Sequence, residues 1–128
     1  MSLKKVFSNS FETASVGTDE VLLTHIYAND YDHTKDAVLS VLKQLDYMVE
    51  DINDEYKEIL ASKSNVELII TLFNNTYYET SVDMKVTTTY AIPFGRGYKA
   101  IKAVYDALPR LLTLKNVGNK QWENTQQY

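Results

Sequence analysis

The sequence predicts an α+β domain in which two amphipathic helices cover one face of an antiparallel sheet of about five strands. Two segments, residues 37–45 and 101–112, carry apolar residues at the spacing of one helix face. The β-rich runs between them are separated by turn signals alone, which favours hairpins and therefore antiparallel pairing. The length of 128 residues is typical of one domain with one hydrophobic core.

The composition excludes several classes of protein. The 45% hydrophobic content is too high for a disordered chain, and the sequence has no apolar run long enough to span a membrane. The chain contains no cysteine, which excludes disulfides, thiolate metal sites and a cysteine nucleophile. A net charge of −4 gives no overall attraction to nucleic acid.

The first part of the chain predicts a strand followed by a helix. Residues 1–20 are polar and without periodicity, and we interpret them as an N-terminal tail or a short edge strand. Residues 21–28 are rich in β-forming residues and end in a polar turn. The first helix then begins with Asp32 or Thr34 as its N-cap. Its apolar face consists of Ala37, Val38, Val41, Leu42 and Leu45.

The middle of the chain predicts four strands. Residues 47–51 and 57–61 form a hairpin around an Asn-Asp turn, and residues 66–73 are apolar enough for a central strand. The strand after them alternates clearly, with Val82, Met84 and Val86 on one face. Its other face carries Ser81, Asp83, Lys85 and Thr87. We therefore expect one side of the sheet to be buried and the other to face water or a partner.

The last part of the chain predicts a second helix after the turn Gly95-Arg96-Gly97. Pro109 lies inside this helical pattern and should kink or shorten the helix. We place the domain at residues 21–115 and a flexible C-terminal tail at residues 116–128. The buried face of the second helix consists of Ile101, Val104, Tyr105, Leu108 and Leu112.

The chain contains ten tyrosines but only four phenylalanines. Tyrosine has an apolar ring and a polar tip, so it suits both the rim of a sheet and a contact surface. Six of the ten fall on or beside predicted strands, which favours the rim. These six are Tyr27, Tyr47, Tyr56, Tyr77, Tyr78 and Tyr90.

Residues 37–51 (AVLSVLKQLDYMVED) resemble a signature in which a helix ends in Leu-Gly-Tyr and passes directly into a strand. Residues 59–63, 81–86 and 100–108 fall where that pattern has two strands and a closing helix. The signature belongs to small uncharacterised bacterial proteins, many of them envelope lipoproteins. The resemblance covers residues 21–112 and implies a strand–helix–four strands–helix fold similar to one repeat of the TATA-binding protein. It implies no catalytic residues, and Asp46 stands where the family has glycine.

The most site-like motif is the turn that precedes the second helix. Backbone N–H groups at a helix N-terminus bind anions, and the side chains of Arg96 and Lys99 would add positive charge. We therefore predict that Gly95, Arg96, Gly97 and Lys99 bind an anion. The alternative is a turn that needs glycine for its backbone angles, with Arg96 solvated.

Charge is distributed unevenly along the chain. Residues 29–58 hold nine acidic and three basic side chains, whereas residues 93–120 hold six basic and one acidic. With this separation of charge, two copies could pair head to tail, or the second helix could bind an acidic surface. The same charges are also compatible with ordinary solvated helix faces. The predicted partner surface is either the open sheet face around Lys85 and Thr87 or the face of the second helix that carries Lys99, Lys102 and Arg110.

Candidate metal and catalytic residues are few. His25 and His33, with Asp30 and Asp32 between them, suggest a metal site, but a strand histidine and a capping aspartate explain them better. The acidic stretch at residues 50–55 lacks the order of an EF-hand loop, and no catalytic motif is present. We therefore expect no metal, no cofactor and no enzymatic activity.

The sequence thus predicts a non-enzymatic bacterial protein-interaction or self-associating module, whose partner is a second copy or another protein. The alternative is a protein that binds a small anionic ligand near residues 95–97. Nucleic-acid binding through the second helix is not expected, because the whole chain is acidic. The localisation is open: a trimmed lipoprotein leader would place the domain in the cell envelope, and a native start at Met1 in the cytoplasm.

Overall fold

The computed structural model describes residues 10–13, 16–17, 23–88 and 95–120. The predictions made for residues 1–9, for Tyr90 and for residues 121–128 lie outside the described residues. The elements in chain order are β1 (Ser10–Glu12), β2 (Val16–Gly17), β3 (His25–Tyr27), α1 (Tyr31–Gln44), β4 (Met48–Asn53), β5 (Glu58–Lys63), β6 (Val66–Thr76), β7 (Glu79–Thr88), α2 (Arg96–Ala107), a 3-10 turn (Leu108–Arg110), β8 (Leu114–Val117) and β9 (Asn119–Lys120).

The main sheet is antiparallel and has the strand order β4-β5-β6-β7-β3-β8. β1 also pairs with β7, in line with β3 and on the same edge. β2 and β9 form a separate two-stranded parallel pair. The predicted α+β class, with an antiparallel sheet and two helices, is confirmed. The sheet also contains β1, which agrees with the short strand offered as one interpretation of residues 1–20, and β8, which was not predicted.

The two helices pack on one face of this sheet, and the alternating strand positions on that face form the core. Cross-strand neighbours such as Leu68 and Val86, or Ile70 and Met84, are almost completely buried. On β6 the side chain of Leu72 is 1% exposed, whereas its neighbour Phe73 on the other face is 63% exposed. The predicted alternation of β7 is confirmed, since Val82, Met84 and Val86 are all buried.

The ends of α1 differ from the prediction. Its N-cap is Asp30, not Asp32 or Thr34, because the Asp30 carboxylate accepts a hydrogen bond from the His33 backbone N–H at 2.8 Å. Thr34 instead lies buried inside the first turn and donates to the Asp30 carbonyl. At the other end Asp46 adopts a left-handed conformation (φ 66°), which lets the chain turn directly into β4.

The end of α2 agrees with the prediction. The helix stops at Ala107, and Pro109 lies in the following 3-10 turn. Tyr105 anchors the helix to the sheet, because its Oη donates a hydrogen bond to the Val82 carbonyl oxygen at 2.8 Å. The ring of Tyr105 also stacks on His25, with 3.4 Å between ring centroids. All five residues of the predicted apolar face are buried.

The described parts of both predicted tails contribute strands. Thr13 and Thr24 both donate side-chain hydrogen bonds to the Asp83 carboxylate, at 2.7 and 2.6 Å, which ties the N-terminal region to β7. The predicted C-terminal tail was to begin at residue 116, yet β8 continues to Val117 and β9 follows. These residues have no apolar pattern of their own, so pairing with β3 and β2 produces their strands.

Candidate functional site

A groove of about 220 Å³ opens where the start of α2 meets the end of α1 and the β5–β6 turn. We call it the basic groove. Its walls combine three cationic side chains, one tyrosine ring and an apolar floor. The lining residues are Leu45, Tyr47, Lys63, Val66, Arg96, Lys99, Ala100 and Ala103.

Two chain reversals and the start of α2 position these residues. The left-handed Asp46 connects α1 to β4 and places Leu45 and Tyr47 at one wall. Lys63 ends β5 immediately before the β5–β6 turn, where Ser64 also has a positive φ of 46°. The first two turns of α2 supply the opposite wall. The groove therefore depends on segments that are far apart in sequence.

The electrostatics of the groove favour an anion. Lys63 Nζ donates to the Leu45 carbonyl oxygen at 2.7 Å and lies 4.7 Å from the centroid of the Tyr47 ring, which holds its charge at the wall. Arg96 and Lys99 are exposed on the first turn of α2. No carboxylate belongs to the described residues that line the groove. Three positive charges therefore surround one small cavity.

The N-terminus of α2 adds to this positive potential. Its N-cap is Gly95, which has no side chain to accept a hydrogen bond from the first-turn N–H groups. The first turn also contains no acidic residue. The first turn therefore supplies no carboxylate of its own to offset the partial positive charge of the helix terminus.

The structure separates the four residues that the sequence singled out for anion binding. Arg96 and Lys99 line the groove. Gly95 has a φ of 76°, a left-handed backbone angle that favours glycine. A Cβ built at this position would meet no atom within 4 Å, so lack of space is not the reason for glycine here. Gly97 is buried on the core side of α2. The motif therefore supplies two cationic side chains and the turn that presents them.

Sequence reasoning missed Lys63 and Tyr47, which complete the groove. Lys63 appears in the sequence as an ordinary polar residue at the end of a strand. The register of the β5–β6 hairpin, which pairs Lys63 with Val66, is the signal that could have placed it beside the start of β6. Tyr47 was predicted only as a residue of the sheet rim.

The two alternative partner surfaces lie on different elements, one on β7 and the other along α2 and the 3-10 turn. Lys85 is exposed on the open face of the sheet, and Thr87 follows on the same face. Lys102 forms an ion pair with Asp106 at 2.7 Å on α2, and this hydrogen bond raises the pKa of Lys102. Arg110 lies in the 3-10 turn beyond the other end of α2. Only Lys99 belongs to the basic groove.

The two histidines occupy different environments. His25 is buried in β3 against Tyr105, whereas His33 is 77% exposed on α1 and contacts the Asp30 carboxylate at 2.7 Å. In the described part of the chain, no group of three histidine or carboxylate side chains could hold a metal ion. Each histidine thus has a local structural contact.

No protein-family model matches this chain, and no curated protein does either. Within the described ranges, neither helix has the length and apolar composition that crossing a membrane requires.

Proposed function

We propose that this protein is a non-enzymatic binding module that holds a small anionic ligand in the basic groove. The observation that carries the proposal is the convergence of Lys63, Arg96 and Lys99 on one cavity that no described carboxylate lines. Charged hydrogen-bond donors around a small concave site favour a carboxylate or phosphate group.

The remainder of the groove defines the rest of the ligand. Leu45, Val66, Ala100 and Ala103 form an apolar floor, and the ring of Tyr47 stands beside them. A cavity of about 220 Å³ is smaller than the sites of drug-sized ligands. The best fit is a compact molecule with one anionic group and a small apolar or aromatic body.

Self-association through the β4 edge of the sheet is a weaker candidate. β4 carries Glu50 and Asp51, and its ladder to β5 is interrupted by a bulge between Val49 and Asp51. Two copies paired through this edge would bring like charges together, and bulges and charges on edge strands oppose such pairing.

Phenyl phosphate is a suitable probe, because it joins a phosphate group to one aromatic ring. We expect it to bind the full chain in isothermal titration calorimetry more tightly than inorganic phosphate does, and phenol to show no binding. Lys99→Ala should weaken binding about tenfold, the effect of losing one charge-assisted hydrogen bond. Higher ionic strength should also weaken it.

Lys102→Ala is the matched control, since it removes the same charge from the same helix outside the groove. This variant should bind phenyl phosphate as the unmodified chain does. Equal weakening by both variants would show that net charge, and not the groove, attracts the ligand. Absence of binding at low ionic strength would overturn the proposal.

A further inference from the structure

A group of exposed aromatic side chains lies at the end of the sheet formed by the β4–β5 and β6–β7 turns. Tyr77 and Tyr78 are 74% and 75% exposed, Phe73 is 63% exposed and Tyr56 is 67% exposed. The rings of Tyr77 and Tyr78 contact each other, with 4.6 Å between centroids. We call these four residues, together with Tyr31, the aromatic tip.

The strand register explains why these rings are exposed. The last pairing between β5 and β6 joins Glu58 to Thr71, yet β6 continues to Thr76. The end of the β6–β7 hairpin therefore projects beyond β5, although the Leu72 backbone N–H still donates to the Lys57 carbonyl oxygen at 2.9 Å. The side chains of Phe73, Tyr77 and Tyr78 at this projection remain more than half exposed. Exposed clusters of large aromatic side chains are typical of contact surfaces, where tyrosine is enriched among the residues that dominate binding.

A niche of about 200 Å³ adjoins the tip, between the start of α1 and the β6–β7 hairpin. Two carboxylates and two phenol rings contribute to its walls, which is the combination that binds cations. Lys57 already contacts one edge of the niche, because its Nζ donates a hydrogen bond to Asn74 Oδ1 and lies 5.5 Å from the centroid of the Tyr31 ring. The lining residues are Asp30, Tyr31, Asp32, Asn74, Thr76 and Tyr77.

The charge around the tip is negative. In the turns and helix start beside it, Asp54 pairs with Lys35 and Glu79 pairs with Lys115. Asp32 and Glu55 have no ion pair with any residue that the structure describes. A partner that covers the rings must therefore bring positive charge to these carboxylates, which favours a basic segment and opposes an acidic one.

We propose that the aromatic tip docks a basic segment of another protein, with an arginine or lysine side chain in the niche between Tyr31 and Tyr77. The cation contacts the phenol rings and the Asp32 carboxylate, while the apolar stem of the same side chain covers Tyr77. This surface is distinct from the basic groove, which lies between the start of α2, the end of α1 and the β5–β6 turn and shares no lining residue with the niche.

A fluorescein-labelled peptide with three arginines separated by glycines serves as the probe, and fluorescence anisotropy measures its binding to the full chain at low ionic strength. A peptide with glutamine in place of arginine should bind at least tenfold more weakly. Tyr77→Ala and Asp32→Asn should each weaken binding of the arginine peptide about fivefold, the size of one exposed cation–π or ionic contact.

Two matched variants control for folding and for net charge. Glu67→Gln makes the same charge change as Asp32→Asn at an exposed position near the other end of β6, and Met48→Ala removes an exposed side chain from β4. Both should bind the arginine peptide within twofold of the unmodified chain. Circular dichroism should be unchanged in all four variants, because surface substitutions rarely alter stability by more than about 0.5 kcal/mol.

Two results would overturn this proposal. Equal weakening by Asp32→Asn and Glu67→Gln, with no effect of Tyr77→Ala, would reduce the binding to general charge attraction. A chain that fails to bind the peptide and sediments as a dimer, which Tyr77→Ala converts to a monomer, would assign the tip to a second copy instead. Neither result bears on the basic groove, which phenyl phosphate tests separately.

Discussion

Two tyrosines have buried hydroxyl groups, of which one has a hydrogen-bond partner and the other has none among the described residues, so their Phe variants should change stability in opposite directions. Tyr105 is 3% exposed, and its Oη donates to the carbonyl oxygen of the fully buried Val82 at 2.8 Å. Tyr27 is fully buried, and its Oη has no hydrogen-bond partner among the described residues. Burial raises the pKa of both hydroxyls, so both are neutral at physiological pH.

Tyr105→Phe removes one neutral hydrogen bond and leaves a buried carbonyl oxygen with one donor fewer. The expected loss in the free energy of unfolding is about 1–2 kcal/mol. Tyr27→Phe removes a buried oxygen atom that has lost its hydrogen bonds to water without gaining one in the described part of the chain. The expected gain in the free energy of unfolding is about 0–1 kcal/mol. The two variants should thus differ by about 2 kcal/mol, or about 7 °C in Tm for a chain of this length.

Urea unfolding followed by far-UV circular dichroism measures the difference, with thermal melts as a second readout. Each variant controls for the other, because both lose one oxygen atom from a buried tyrosine and keep the ring. The reasoning is refuted if Tyr27→Phe loses as much stability as Tyr105→Phe. Tyr27 Oη would then make a hydrogen bond that contributes as much to the free energy of unfolding as the hydrogen bond of Tyr105 does.

Two further predictions concern the ends of α1. Asp46→Gly should raise the free energy of unfolding by about 1 kcal/mol, because glycine adopts the left-handed conformation without strain and a negative charge leaves the helix C-terminus. Asp36→Gly, inside the helix, should lower it by about 0.3 kcal/mol, because the helix propensity of glycine is lower than that of aspartate. Urea unfolding of both variants checks the sign, and a loss in Asp46→Gly contradicts the argument. At the other end, the hydrogen bond from the His33 backbone N–H lowers the pKa of Asp30 below its ordinary value of 3.8. The stability that this carboxylate contributes is present above pH 3.8 and disappears as the pH falls through its lower folded value, so urea midpoints measured across that range should fall less steeply in Asp30→Ala than in the unmodified chain. If the urea midpoints of the two proteins fall equally steeply as the pH is lowered, the Asp30 carboxylate makes no such contribution to stability.

The main elements could be predicted because their periodicity is local. The apolar face of α2 repeats along a single segment, and the alternation in β7 follows from one buried face of the sheet. Both patterns are visible without knowledge of the partners against which these residues pack. Pro109 similarly marks the end of α2 because its effect on the helix is confined to neighbouring residues.

The missed elements depend on contacts between distant residues. β8 is short and has no clear apolar alternation, and it is a strand because β3 offers it hydrogen bonds. The N-cap of α1 was predicted at the wrong residue. Several polar side chains near the start of the helix can act as N-caps, and their spacing alone does not show that Asp30 is the one that does. Lys63 and Lys99 meet only after the sheet and α2 have packed, so no local signal joins them.

The pairing of β7 also determines the order in which the chain can fold. Its neighbour β6 is adjacent in sequence, but Ser10 pairs with Thr87 and His25 pairs with Val82. During synthesis from the N-terminus, β1 and β3 leave the ribosome long before their partner exists. The local hairpins from β4 to β7 can form first, whereas closing the long loops to β1 and β3 costs more entropy. β1 and β3 are therefore made before β7 but are among the last strands to join the sheet, and a ribosome-bound chain that ends before Thr88 would still lack the full strand with which both pair.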